Sequence, residues 1–334
     1  MALLIICGCD KSSLSTNDTE YTNQYIFFDA GVESTKGTLV TGTALPSAAN
    51  TSFGVFAYRG SGSQNTPVFD MYNNNIAHLY RPAERANFKY DKLAMWTAGE
   101  YHSFYAYYPY NATSIITAVD YNDGVAYITY SQPIKLDDMV DVMTASVIAA
   151  RSDDYPTEDG KQIVFEFNHR LFAIGLTVVN AQTESKSDLV ITAANIEFVG
   201  VNTSAQFNIA ENDKYTALGF VNINHTYIDT ETDTPITLNK PDNNNTLVSY
   251  NFNNGNEFLL IPCESLNIKV TLSVKNEWDE EVTYVIDDNF APTNGKFFEA
   301  GKQYTITIKK SDNGITYERL INGWNNTDVE IEFN

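Results

Sequence analysis

The side chains able to do acid–base, metal or nucleophilic chemistry are sparse and scattered in this 334-residue chain. Its four histidines, His78, His102, His169 and His225, stand far apart. None falls in the His-Glu-x-x-His spacing that sets two imidazoles on one helix face beside a general base. None lies near a cysteine at zinc-ligand spacing. His169 follows Phe167 on one side of an apolar alternation, which suits a satisfied interior or domain-junction histidine better than a catalyst. Asp229, Glu231 and Asp233 have the alternate spacing of a calcium loop, but the Gly expected at the sixth position and the Glu expected at the twelfth are missing, so a solvated acidic loop is expected. The pairs Asp137-Asp138 and Asp153-Asp154 could in principle serve a glycosidase. Adjacent acids are common in an acidic chain, however, and sequence gives no separation between such groups in space. There is no Gly-x-Ser-x-Gly elbow and no phosphate-cradling glycine-rich loop. No catalytic residue, cofactor or metal site is assigned, and the chain reads as a non-enzyme.

The charge balance narrows the partners. Lys and Arg number 21 against 42 Asp and Glu, a formal charge of -21, whereas nucleic-acid binding needs a basic footprint to neutralise phosphates. Charged residues make up only 19%, so Asn, Thr, Ser and Tyr must supply much of the polar surface. With 21 Tyr and 19 Phe, this composition suits short pleated strands joined by Asn, Asp and Gly turns.

Three cysteines, Cys7, Cys9 and Cys263, cannot build a disulfide framework or a zinc quartet. Cys263, in Phe258-Leu-Leu-Ile-Pro-Cys263, reads as a small buried hydrophobe. Ala2 to Gly8 form an apolar run ending at Cys9 and followed by the polar stretch Asp10 to Asn23. The run is too short to span a bilayer. Ile6-Cys7-Gly8-Cys9 resembles the end of a bacterial lipoprotein signal peptide, with Cys9 as the acylated residue. No Lys or Arg precedes the run. Acyl chains on Cys9 would hold the protein to a membrane surface, with residues 10–24 as a tether.

Strand-like segments recur at residues 25–30, 53–58, 104–108, 125–130, 163–171, 174–179, 258–261, 268–274, 304–308 and 329–333. Ile268-Lys-Val-Thr-Leu-Ser-Val274 and Tyr304-Thr-Ile-Thr-Ile308 alternate cleanly, one face for a core and one for solvent. Asn122-Asp-Gly124, Asn253-Asn-Gly255 and Asp312-Asn-Gly314 supply turns. Asp137 to Ala150 allow a short helix despite their Thr and Val content, and Asp229 to Asn245 read as an acidic, Asn-rich loop. Between Ile163 and Val178 the apolar parity changes: Ile163, Phe165, Phe167 and Leu171 are odd, Ile174, Leu176 and Val178 even. Such a change implies a bulge or a strand leaving one core for another. The boundary is placed there, dividing the chain into a signal segment at 1–9, the tether at 10–24, and domains at 25–168 and 169–334. The aromatic content also allows a surface-exposed glycan-binding lipoprotein, although rings lying within strands are explained first by core packing.

Several segments together resemble the fimbrillin family of Bacteroidetes, the subunits of type V pili. They are Phe53-Gly-Val-Phe-Ala-Tyr58; Trp96 with His102-Ser-Phe-Tyr-Ala-Tyr-Tyr-Pro109; Asp141-Val-Met-Thr-Ala145; Phe165-Glu-Phe-Asn-His-Arg-Leu171; Gly301-Lys-Gln-Tyr-Thr-Ile-Thr-Ile308; and Ile321-Asn-Gly-Trp324. The resemblance implies an all-β protein of two tandem transthyretin-like antiparallel β-sandwich domains. It further implies a lipoprotein precursor carried to the cell outer membrane and a fimbrium assembled for cell adhesion. A trypsin-like protease would cut after a basic residue beyond the first strand. Loss of that strand, carried by Ile26, Phe27 and Phe28, would open a groove that a neighbouring subunit's strand fills. Lys36 is the first basic residue beyond it, with Arg59 as the alternative. The donor candidate is the C-terminal strand of Val329, Ile331 and Phe333, which could equally complete its own domain. Expected partners are other pilus subunits, the outer membrane through lipid at Cys9, and a host or bacterial surface receptor.

Overall fold

The structure is a computed structural model describing residues 25–30, 32–33, 45–46, 51–60, 66–67, 77–80, 88–91, 93–97, 99–122, 125–151, 154, 162–182, 188–241, 248–253, 256–275, 278–290, 298–323 and 328–329. Almost all of its regular structure is β. The first half carries β1 (Phe28–Ala30), β2 (Val32–Glu33), β3 (Leu45–Pro46), β4 (Ser52–Gly60), β5 (Thr66–Pro67), β6 (Ala77–Tyr80), β7 (Tyr101–Tyr108), β8 (Ile116–Asn122), β9 (Val125–Ser131), β10 (Met143–Ala150), β11 (Ile163–Phe165) and β12 (Asn168–His169). The second half carries β13 (Phe172–Asn180), β14 (Leu189–Asn208), β15 (Tyr215–Ile228), β16 (Ile236–Leu238), β17 (Val248–Asn251), β18 (Phe258–Leu260), β19 (Leu266–Lys275), β20 (Glu281–Phe290), β21 (Lys302–Ser311), β22 (Gly314–Gly323) and β23 (Asp328–Val329).

Three larger sheets result. One has the order β12-β10-β7-β4-β5, with β6 also on β4; the second runs β17-β13-β21-β22-β23, with β18 also on β13. The third runs β20-β19-β14-β9-β8, with β15 and β16 on β14. Most pairs are antiparallel, but β1 with β11, β2 with β3 and β13 with β21 run parallel. Asn122 pairs with Val125 and Ser311 with Gly314, so two of the three turn segments read from sequence fall where antiparallel strands meet; 123–124 and 254–255 lie outside the described residues.

The segment 137–150 is not helical. A single 3-10 turn, Leu136–Asp138, leads into β10, whose Thr and Val content suits a strand buried against β7. The acidic stretch from Asp229 to Asn245 is likewise not all loop, because Ile236–Leu238 pair with β14. Its first residues, Asp229 to Asp233, form an exposed turn in which the Asp229 amide donates to Asp233 Oδ2 at 2.9 Å.

The buried apolar residues separate into two cores. The smaller contains Ile26, Phe28, Phe53, Val55, Phe104, Met143, Ile163, Phe165 and Phe167; the larger begins at Phe56 and takes in most of the second half. The β4–β7 sheet stands between them and is buried on both faces. Phe53, Val55 and Ala57 face the smaller core while Phe56 and Tyr58 face the larger, so a continuous apolar run is required there rather than an alternating one. The parity change read in residues 163–178 has the same origin. Ile163, Phe165 and Phe167 pack in the smaller core, and Leu171, Phe172, Ile174, Leu176 and Val178 in the larger. The chain is broken there into β11, β12 and β13, in three different sheets. The hairpin β8–β9 lies before residue 168 in sequence yet joins the sheet of β14, with Tyr130 opposite Ala205.

Candidate functional site: the leading strand and its groove

Residues Tyr25 to Ala30 lie between two walls. On one side β1 pairs in parallel with β11, Phe28 opposite Ile163 and Ala30 opposite Phe165, and the Ile163 amide donates to the Phe27 carbonyl at 2.8 Å. On the other, Tyr25 bridges Met95 and the Ile26 amide donates to the Ala94 carbonyl at 2.8 Å. The phenol of Tyr90 donates to the Ile26 carbonyl at 2.6 Å and accepts from the Ala94 amide at 3.1 Å, tying strand to wall. Burial pushes that phenol's pKa up to about 12, so it remains a donor at neutral pH.

Side chains alternate as a strand demands. Ile26, Phe28 and Ala30 are buried, and Tyr25, Phe27 and Asp29 are half-buried. The pocket of Phe28 is aromatic: its ring stacks on Phe165 at 5.7 Å, meets Phe104 edge-on at 5.4 Å and lies tilted against Tyr90 at 5.5 Å. Phe53 extends the cluster, edge-on to Phe88, Phe165 and Phe167. Exposed apolar side chains rim the strand on both walls: Leu93 and Met95 on one, Val164 on the other, 46%, 52% and 55% exposed.

The leading segment supplies part of the smaller core. Ile26, Phe28 and Ala30 belong to the smaller cluster, and among the described residues β11, the segment around Ala94 and the Tyr90 phenol hold the strand's backbone. Without it, the Ile163 amide and Ala94 carbonyl would lose these partners beside an open aromatic pocket, a template for another extended strand.

The residues singled out from sequence fall as follows. Ile26 and Phe28 fill the groove, while Phe27 turns partly outward. Arg59 is within β4, opposite Thr66 of β5 and His102 of β7. Its guanidinium donates to Thr97 Oγ1 and lies 3.6 Å from Glu100. Val329 pairs with Ile321 at the end of the β22 sheet. Cys9, Lys36, Ile331 and Phe333 lie outside the described residues. Cys263 packs half-buried against the larger core, and burial pushes its thiol up to about 12. Among the described residues no group of three or more His, Cys, Asp or Glu side chains is arranged to hold a metal ion, and no helix is long and apolar enough to cross a membrane.

Sequence reasoning missed the second wall, residues 88–91 and 93–97: Trp96 enters only as part of the family resemblance, and the aromatic alternation Phe88-Lys-Tyr90 is not among the strand-like segments. It also missed the partners gathered where the chain changes core. His169 is buried and 2.8 Å from Asp141 Oδ2. Arg170 is fully buried, donates to Asn212 Oδ1 at 2.9 Å and to the Lys214 carbonyl at 3.2 Å, and stands 5.0 Å above the Phe207 ring. Burial pushes its guanidinium down to about 10, with Asp213 opposing the shift.

Stacked sheets around two cores, with a short leading strand inserted into one of them, define a β-sandwich protein. This chain belongs to the fimbrillin-like family, whose model matches residues 38–324. It is similar in structure to a fimbrial protein from Bacteroides vulgatus, at a TM-score of 0.63 and 18% identity over 90% of this chain and 99% of that one. A candidate cell adhesion protein from Bacteroides uniformis matches at 0.49 and 16%, covering 90% and 99%. The fimbrial anchor protein Mfa2 from Porphyromonas gingivalis matches at 0.35 and 12%, covering 90% and 98%. No curated protein sequence matches the chain.

Proposed function

We propose that this chain is a structural subunit of a surface pilus, assembled by strand exchange after proteolytic release of its leading strand, and that the pilus serves cell adhesion. Membership of the fimbrillin-like family supports the pilus role. The docking of residues 25–30 between β11 and the Ala94 wall, with Phe28 packed against the rings of Tyr90, Phe104 and Phe165, is the observation that carries the exchange. Exposed Leu93, Met95 and Val164 suit a face that another subunit covers.

In this reading the precursor is anchored at the outer membrane through lipid on Cys9, and cleavage after Lys36 releases the anchor together with the leading strand. Lys36 is preferred to Arg59, whose backbone is paired on both sides within β4; cutting there would also discard Phe53 to Tyr58, of which Phe53, Val55 and Ala57 belong to the core beneath the groove. The donor is the C-terminal segment of Val329, Ile331 and Phe333 from a second copy. Head-to-tail addition of this kind does not close on itself and so builds a filament. The division into two tandem transthyretin-like domains at 168/169 belongs to the same proposal. The change of core between Phe167 and Leu171 supports it, while Phe56, Tyr58 and the β8–β9 hairpin, paired with β14, join the larger core from before that boundary.

The test is assembly of purified protein trimmed at Lys36. Ladders resistant to sodium dodecyl sulfate are expected, and deletion of residues 329–334 should abolish them. A trimmed protein that stays monomeric and instead binds polysaccharide would overturn the proposal in favour of a glycan-binding lipoprotein.

A further inference from the structure

The groove is uneven along its length, and this unevenness can select how an incoming strand is seated. The Ile26 position is a fully buried site holding an aliphatic side chain, and its carbonyl accepts from the Tyr90 phenol. The Phe28 position is walled by three rings, and the Ala30 position accepts a methyl group. From the amino end, the sites therefore read aliphatic, aromatic and small.

The segment Ile331-Glu-Phe333 repeats the Ile-x-Phe spacing of Ile26-Phe-Phe28. The same spacing at 163–165 and 196–198 is already buried in the two cores, within β11 and β14. We propose, building on the strand-exchange reading above, that the C-terminal segment of a second copy enters the groove in the direction of the strand it replaces, with Ile331 in the Ile26 site and Phe333 in the Phe28 pocket. Seating Val329, Ile331 and Phe333 directly on 26, 28 and 30 would instead force a phenyl ring into the alanine site, and overpacking of that kind is destabilising. The proposed seating keeps the existing backbone pattern. The Ile331 amide donates to the Ala94 carbonyl, the Ile331 carbonyl accepts from the Tyr90 phenol, and the Glu332 carbonyl accepts from the Ile163 amide. Glu332 takes the half-buried, outward place of Phe27, where a carboxylate can reach water.

Register can be read by disulfide trapping on the outer face. Asp29 is the partner of Val164, whose side chain is 55% exposed. In the proposed seating Asn334 takes the place of Asp29; in the seating shifted by two residues Glu332 does. Adjacent strands lie about 4.8 Å apart, within disulfide reach. Full-length protein carrying Val164→Cys with either Asn334→Cys or Glu332→Cys is trimmed at Lys36, assembled and run without reductant. At least five-fold more disulfide-linked ladder with Asn334→Cys is expected. Equal or greater trapping with Glu332→Cys, or a detergent-resistant ladder that neither pair traps, overturns the register while leaving strand exchange standing. Absence of any detergent-resistant ladder overturns both. As a second measurement, Phe333→Ala should lower ladder yield at least ten-fold and Val329→Ala less than two-fold; the reverse order overturns the register.

Discussion

His169 Nδ1 donates to Asp141 Oδ2 at 2.8 Å, and both side chains are almost wholly shielded from water where the chain passes from the smaller core to the larger. The other carboxylate oxygen, Oδ1, is buried with no hydrogen-bond partner among the described residues, so the imidazole is the support that the described residues give this buried acid. Around it stand the phenols of Tyr108 and Tyr130, whose ionisation is disfavoured first by burial and then by the Asp141 charge. The contact joins the entry to β10 with β12, and the neighbouring Arg170 amide donates to the Val142 carbonyl at 2.8 Å.

Breaking this pair from one side should be costly. His169→Ala leaves the carboxylate buried and unpaired, and a loss of about 3–5 kcal/mol is expected from urea unfolding. Replacing both residues, His169→Leu with Asp141→Leu, should cost less than the sum of the single changes. Additive losses would show that the two groups do not act as a unit.

Phe28 should dominate the leading strand's hold on the body. Phe28→Ala removes a ring packed against Tyr90, Phe104 and Phe165, and a loss of about 3–5 kcal/mol is expected. Phe27→Ala, at the half-buried neighbour, should cost less than half as much in the same denaturant titration.

Gly54 is fixed by close approach rather than by backbone angle. A methyl group there would stand 2.3 Å from Tyr107 Cε1 and 2.5 Å from its Cζ, within the doubly buried sheet. Gly54→Ala should therefore destabilise by about 1–3 kcal/mol. The extra cost should shrink in a Tyr107→Ala background, which a double-mutant cycle measures.

Stability should fall on the alkaline side. Burial pushes Cys263, Tyr90 and Tyr105 each up to about 12. An unfolded thiol titrates near about 8.5 and an unfolded phenol near about 10. Above those values the unfolded chain releases protons that the folded protein still holds, so stability is full below them and declines as pH rises toward 12. The urea midpoint should be lower at pH 10 than at pH 7.5, and Cys263→Ala should show a smaller drop across that interval.

Strand identity was legible wherever one face meets a core and the other meets water, as in β19 and β21. It was not legible in β14, a 20-residue strand. There the buried positions pass from Leu189 and Ile191 to Ala194, Ile196 and Phe198, then to Val201, Ala205 and Phe207, as irregular pairings reset the register. Each reset moves the apolar set to the other parity, so one long strand looks like three unrelated fragments. The helix allowed at 137–150 failed for a related reason: local propensity was weak, and pairing with β7 decided the outcome.

By itself, the sequence determined the class of this protein. Its polar amides, aromatics and period-two segments specify sheets, and the parity change between Leu171 and Ile174 lies close to where the chain changes core, between Phe167 and Leu171. Ile26 and Phe28 were visible as an apolar strand because alternation is a local property of the chain. Only the tertiary structure decided what that strand meets: β11 from 135 residues further on (Phe28 opposite Ile163), the Ala94 carbonyl on the other side, and three rings brought from separate segments. Those contacts depend on chain positions distant in sequence converging on one groove, and no local pattern of residue types encodes the distance between them.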